Sequence, residues 1–386
     1  MTQALIMKEA EQAEPLQVVN RRANLLGMNR ADMTEAMAAL GIKPFRAKQV
    51  WNWIYRNGIT DFASMSNIGK EMQALLEQHF FMARARIDKD LVSFDGTRKW
   101  LLEFSDGQKV ETVFIPEGNR GTLCISSQVG CTLACTFCHT GTQRLVRNLV
   151  AGEIVDQVLV AMDALGGWQQ GPRGAKRDED DSQQRITNIV FMGMGEPMFN
   201  YAHVARACEI LIDEQGLQLS RRKVTISTSG VVPRIRQMAD ELGVNLAISL
   251  HGVRDELRDE IVPINRKYKM DALMESLHYY ASKHPTRSIL IEYVMLKDVN
   301  DSDADAHILA DLLEGLNVKV NLIPFNPWPG SPYVCSSNNR IHAFGNILIR
   351  RKIPCPIRTT RGADILAACG QLKSDSELKK GQKVAL

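Results

Sequence analysis

Apolar positions along this chain follow three successive patterns. From about residue 24 to 84 they recur every three or four residues. This predicts helices over Arg30–Leu40, Arg46–Tyr55 (with Val50, Trp51, Ile54 and Tyr55 clustered at helical spacing) and Lys70–His79. Pro44 suits the start of the second. From about 90 to 115, β-favouring stretches are broken by Asp95-Gly96 and Asp106-Gly107, and Asp-Gly between such stretches predicts hairpins, hence a β meander. From about 122 onward, candidate strands Thr122–Ser127, Ile186–Met192, Lys223–Ser227, Asn245–Leu250, Ser288–Met295 and Val318–Pro324 appear. They alternate with amphipathic stretches Ala151–Leu165, Tyr201–Glu214, Val232–Leu242, Met270–Ser282, Asp303–Leu313 and Arg340–Arg350.

That alternation argues for an α/β fold with a parallel sheet and helices outside it. About six units form a partial (β/α)6 barrel, with a helical module before it and a β-hairpin extension between them. The chemistry is expected at the C-terminal ends of the strands, as in complete barrels. The expected organisation is a flexible N-terminus over 1–23, a helical accessory domain over 24–84, a hairpin extension over 85–120, the barrel over 121–360 and a C-terminal segment over 361–386 with a basic tail. Gly166–Arg185, rich in Gly, Gln, Asp and Arg, is too polar for core and reads as a surface loop.

Composition narrows the class. The 386 residues are 45% hydrophobic and 24% charged, the balance of a soluble globular protein, and no apolar run is long enough to span a bilayer. The opening residues carry acids and no apolar signal core, so a cytoplasmic protein without membrane attachment is expected. A net charge of +3 neither demands nor excludes nucleic acid. Local groups say more: Lys43, Arg46, Lys48 and Arg56; Arg144 and Arg147; Arg221, Arg222 and Lys223; Arg350, Arg351 and Lys352 would neutralise phosphates if they shared a face. Trp51, Trp53 and Tyr55 could stack on bases, although at this spacing at least two belong to a core.

Eight cysteines in a non-secreted chain favour metal or redox chemistry over a disulfide framework. Three of them, Cys131, Cys135 and Cys138, are spaced CxxxCxxC with Phe137 before the last. A [4Fe–4S] cluster normally takes four Cys ligands, so three leave one iron open for a substrate or cofactor. A structural zinc held by the three thiolates and His139 is the other reading of the spacing. Four further strings follow predicted strands: Gly193-Met194-Gly195-Glu196-Pro197, Ser227-Thr228-Ser229-Gly230, Ser249-Leu250-His251 and Asn326 after Ile323-Pro324-Phe325. They supply a carboxylate for an ammonium group, and hydroxyl, imidazole and amide groups suited to ribose, adenine or carboxylate.

The cysteine spacing resembles the radical S-adenosylmethionine (SAM) superfamily, in which SAM chelates the open iron and is cleaved to a 5′-deoxyadenosyl radical. The strings around Cys124–Cys131, Met192–Pro197, Ser227–Val231, Ala247–His251 and Ala367–Leu372 are similar to those of the bacterial dual-specificity rRNA/tRNA adenine-C2 methyltransferases, from about residue 24 to 372. The resemblance implies methylation of adenine 2503 of 23S rRNA and adenine 37 of certain tRNAs, with two SAM molecules used per turnover. Because carbon 2 of adenine is electron-poor, polar methyl transfer to it should fail. The family methylates a cysteine first and adds the derived methylene radical to the ring.

By the same resemblance Cys369 matches the methyl-carrying cysteine, Cys124 the one that resolves the protein–RNA crosslink, and Glu111 the proposed acceptor of the ring proton, a role that the Cys124 thiolate could also fill. Cys131, Cys135 and Cys138 match the cluster ligands, and Gly195, Glu196, Ser227, Ser249, Leu250, His251 and Asn326 the SAM contacts. The resemblance also implies a one-electron reductant such as flavodoxin or ferredoxin, and a monomer. Cys208, Cys335 and Cys355 have no matching context, and Cys208 falls in a helical pattern as core. The related adenine-C8 enzymes share the cluster and both outer cysteines, and a radical-SAM enzyme for a protein or small molecule would leave those two cysteines unexplained.

Overall fold

The computed structural model describes residues 18–19, 22–167, 185–374 and 376. The expected N-terminus 1–23, the loop 166–185 and the basic tail fall almost entirely outside them. Nine strands form the main sheet: β1 (Arg86–Val92), β2 (Arg98–Glu103), β3 (Lys109–Glu117), β4 (Arg120–Cys124), β5 (Asn188–Phe191), β6 (Val224–Thr228), β7 (Asn245–Ser249), β8 (Ile289–Met295) and β9 (Val318–Pro324). Their order in space is their order in sequence. β1 to β4 pair antiparallel and β4 to β9 parallel. Helices occupy the connections between successive parallel strands, and the sheet is open at β1 and β9, as a partial barrel requires.

The two Asp-Gly turns set the register of the meander. Each is a three-residue loop, closed by Ser93 N to Thr97 O at 2.8 Å and by Phe104 N to Gln108 O at 2.9 Å. Gly96 and Gly107 take φ of 83° and 80°, the left-handed position that such loops reserve for glycine. The resulting register places Leu101 opposite Glu111 and Val113 opposite Cys124.

Among the described residues, one compact unit contains those up to 85, 149–167 and 201–219, and the other contains 86–148, 185–200 and 220–376. In the first, Trp51 and Tyr55 of helix Pro44–Asn57 are wholly or almost wholly buried, which makes them core, and Trp53 Nε1 donates to Asn67 Oδ1 at 2.6 Å. Helices Ala151–Ala164 and Tyr201–Ile212, expected as barrel helices, belong to this unit and pack on each other, with Cys208 buried. Gly152 lies against the turn Leu25–Gly27, where an added Cβ would come within 3.1 Å of Gly27 N.

Asp156 is buried in the same unit, accepts from Ala85 N at 2.5 Å and lies 3.7 Å from the Arg84 guanidinium. Burial raises its carboxyl to about 7, against the pull of Arg84. A folded-state value above the unfolded one means that the folded state holds the proton more tightly. The contribution of Asp156 to stability is therefore fully present at low pH and lost as pH rises from about 4 through about 7. Asp156→Asn keeps the acceptor and removes the ionisation, so thermal melts across that range should lose part of the decline seen in the parent; parallel curves would contradict this.

Candidate active site

The three-cysteine loop leaves the sheet after β4 and passes through a two-stranded ribbon, Gln128–Val129 with Arg147–Asn148. Gly130 opens it at φ 77°, where an added Cβ would lie 2.2 Å from Arg144 O. Tight turns then stack the cysteines: Cys138 N donates to Cys135 O at 3.2 Å and Gly141 N to Cys138 O at 3.0 Å. Thr136 N donates to Ile261 O at 3.2 Å, and Leu133 and Cys135 pack on Ile261, Val262 and Ile264, so the loop is fastened to the short helix Asp255–Ile261. That helix carries five charges in seven residues, which hides it from an apolar-periodicity reading.

Cys131, Cys135 and Cys138 line one cavity of about 140 Å³ together with Gly195, Glu196, Ser227, Ser249, His251 and Cys369. Glu196 is buried; its Oε2 accepts from Ser229 N at 2.8 Å and its Oε1 from Met198 N at 3.0 Å. Burial raises its carboxyl, while these two bonds and the Thr228 and Ser229 side chains oppose that rise. Gly195, at φ 98°, brings this turn against Gln128, where an added Cβ would meet the side chain at 2.6 Å. Ser227 and Ser249 hydroxyls lie 3.4 Å apart on neighbouring strands.

Burial pushes His251 down to about 3, so it is neutral. Its Nδ1 accepts from Val294 N at 3.1 Å, which leaves the proton on Nε2, and its ring meets Phe137 edge-on at 4.6 Å. Leu250 is buried and ties β7 to β8 through its N–H to Glu292 O at 3.1 Å.

Cys369 sits on a strap, residues 362–374, that is tied down along its length. Asn326 Nδ2 donates to Cys369 O at 3.2 Å, His139 N to Gly370 O at 2.7 Å and Thr140 Oγ1 to Leu372 O at 2.5 Å. Gly370 takes φ 82°. Glu111, on β3, holds the strap farther on: its Oε2 accepts from Lys373 N at 2.9 Å, and its Oε1 pairs with Lys99 Nζ at 2.8 Å. Lys99 also donates to Leu366 O at 3.0 Å. Glu111 and Lys99 thus grip both flanks of the cysteine.

Cys124 ends β4 and is buried. Burial pushes its thiol up to about 11, while the Arg358 guanidinium pulls it down. Cys369 is open on one side, but the protein crowded around its sulfur pushes the thiol up to about 12, again against Arg358. Each thiol also feels the charge of Glu292, so the two cysteines, 245 positions apart in sequence (369 − 124), share one electrostatic neighbourhood. Glu292 and Arg358 were not foreseen, although a lone acid in the apolar strand Ile289–Met295 was a signal. Lys99 could have been placed too, since the Asp-Gly turns put it diagonally across from Glu111.

His139 is not among the residues that line the cavity of the three thiols; its Nδ1 lies 3.2 Å from Gln371 O and its ring stacks on Trp328 at 4.9 Å. Among the described residues no three such side chains close on a single ion. The thiols fit a cluster better, being spread around one cavity. Leu133 N donates to Cys131 Sγ at 3.3 Å, and hydrogen bonds from Gly141 to Cys138 and from Ser229 to Cys135 favour their charged forms against burial.

A three-cysteine loop at the C-terminal end of the first parallel strand, facing a Gly-Glu turn inside an open α/β sheet, defines a radical-SAM enzyme. Residues 177–310 match the radical SAM superfamily, and residues 23–82 match the ribosomal RNA large subunit methyltransferase N-terminal domain. A protein of Rhodospirillum rubrum named dual-specificity RNA methyltransferase RlmN is 54% identical over 92% of this chain and 81% of its own length. One of the same name from Rhodopseudomonas palustris is 50% identical over 98% and 96%. The crystal structure of a radical SAM methyltransferase from Sphaerobacter thermophilus superposes with a TM-score of 0.83 at 40% identity, covering 90% of this chain and 98% of that one. The chain belongs to the RlmN family of dual-specificity RNA methyltransferases.

Proposed function

We propose that this protein forms 2-methyladenosine at adenine 2503 of 23S rRNA and adenine 37 of certain tRNAs. The observation that carries the reading is the placement of Cys369 in the wall of the three-cysteine cavity, with Cys124 in the same charged neighbourhood. When bound by Cys131, Cys135 and Cys138, a [4Fe–4S] cluster supplies the electron that cleaves SAM to a 5′-deoxyadenosyl radical.

The chain's own residues do the rest. Glu196, Ser227, Ser249, His251 and Asn326, with the backbone of Gly195 and Leu250, hold SAM across the strand ends. His251, neutral and protonated on Nε2, offers a donor, and Glu196 an acceptor for an ammonium group. Cys369 takes a methyl group as its thiolate and, after loss of one hydrogen atom, bonds through that carbon to C2 of the adenine. Glu111 accepts the ring proton once Lys373 N–H has left its Oε2, and the adduct would return its unpaired electron to the oxidised cluster. The Cys124 thiolate then attacks Cys369 sulfur, forming a disulfide and releasing the methylated base, whose new carbon takes up a proton to become the methyl group. One SAM is spent on the cysteine and one on the radical. Products from a single turnover should therefore contain S-adenosylhomocysteine and 5′-deoxyadenosine in equal amounts; a lack of S-adenosylhomocysteine would exclude the methylated-cysteine route.

The target base must leave its stack to meet a cysteine in this cavity, so a loop adenosine in folded RNA is the substrate form. We place the helical domain and the basic groups at the phosphates, the enzyme in the cytoplasm as a monomer, and a flavodoxin- or ferredoxin-type protein as electron donor. Phosphate contacts make binding salt-sensitive. Raising salt from 50 to 200 mM should weaken RNA binding by at least about tenfold while leaving iron content unchanged; salt-independent binding would count against the basic surface.

A further inference from the structure

Arg258, in the helix Asp255–Ile261, is fully buried. Its Nε donates to Leu250 O at 3.0 Å, its Nη2 to Ser229 O at 2.5 Å and Ser249 O at 3.5 Å, and its Nη1 to Asn265 Oδ1 at 2.7 Å. One planar fork thus gathers the main-chain carbonyls that follow β6 and β7, the two segments bearing Ser227, Ser249 and His251. A lysine has no such fork.

The charge itself needs an explanation. Removing a cation from water is costly unless an anion answers it. The Asn265 amide donates to Asp255 and Asp259 at 2.8 and 2.7 Å, and among the described residues no carboxylate lies within ion-pair distance of the guanidinium; Asp255 and Asp259 act on it only at longer range, beside Cys135. On its other side is the cysteine loop. Ile261 and Val262 of the same segment pack on Cys135, and Ser229, whose carbonyl Arg258 holds, also reaches the Cys135 thiol. Cys135 and Arg258 act on each other electrostatically.

We infer that Arg258 is a positioning residue for SAM whose buried charge also balances the three-thiolate side of the cluster. This rests on the cluster reading above. A cation close to an anionic cluster stabilises its reduced, more negative state, so removing the charge must make reduction harder.

The test uses the full chain, reconstituted without oxygen, as parent, R258M and R258K. The readouts are iron per chain, the cluster midpoint potential from an EPR-monitored redox titration and the SAM dissociation constant. R258M should have a more negative potential than the parent and bind SAM at least about tenfold more weakly, as expected for loss of charge-assisted hydrogen bonds. R258K should keep the potential near that of the parent, because it keeps the charge, yet lose SAM affinity, because it lacks the fork. An unchanged potential in R258M overturns the charge role. If R258M does not fold, R258K decides: a potential near the parent's with weakened SAM binding supports the inference, and parental SAM affinity overturns it. A parent chain that takes up no iron would defeat the cluster reading itself, a different failure.

Discussion

Cys124→Ala should stop turnover after one event and leave RNA covalently attached to the protein through Cys369. The variant still holds the three cluster cysteines, the SAM residues and Cys369, so the bond to carbon 2 can form. What it lacks is the thiolate proposed to displace the base. Cys124 lies in the middle of the sheet, pairing with Val113 on β3 and Val190 on β5, and loss of one buried sulfur there costs only about 1 kcal/mol. A denaturing gel with labelled RNA should show a shifted band that requires SAM and reductant and vanishes in the Cys124→Ala/Cys369→Ala double variant. Free RNA and an enzyme of parental activity would remove both cysteines from their proposed roles.

Cys135→Ala should abolish the cluster and, with it, every product derived from SAM cleavage. Cys135 is the central one of the three proposed ligands, and two thiolates cannot hold a cubane that normally takes four cysteines. The fold should survive, because the backbone bond from Thr136 N to Ile261 O and the packing of Leu133 do not depend on the sulfur. Iron analysis after anaerobic reconstitution should fall from about four per chain to near zero while far-ultraviolet circular dichroism is unchanged. Full iron occupancy in the variant would mean that the ligands lie elsewhere.

Much of the fold was legible in the sequence because its signals were local. Asp-Gly turns, apolar alternation and helical periodicity recovered all six parallel strands, the meander and the helices to within a few residues. The helix Asp255–Ile261 escaped because its one wholly buried side chain besides Ile261 is Arg258, a residue that pattern reading assigns to solvent. The compact unit that unites Ala151–Ala164 with the helical module was also invisible, since nothing local distinguishes those helices from the others.

At the site, the motif strings contain the three thiols, Glu196, Ser227, Ser249, His251 and Cys369, which line the cavity, while Glu292, which also lines it, lies in no motif. Those acting through another residue carry no motif. Lys99 holds Glu111 and the strap, Arg358 acts on both outer thiols, and Arg258 holds carbonyls. For Glu292, a charged residue inside an apolar strand was the clue available.

The central claim is that a three-cysteine radical-SAM centre and two outer cysteines together methylate carbon 2 of adenine. Nucleoside mass spectrometry of a 23S rRNA fragment and of tRNA, each incubated with the reconstituted protein, SAM and a one-electron reductant, tests it most directly. The account predicts 2-methyladenosine in both, absent when Cys369 is alanine. An 8-methyladenosine product, or unmodified RNA from a protein that carries its full iron complement, would contradict it.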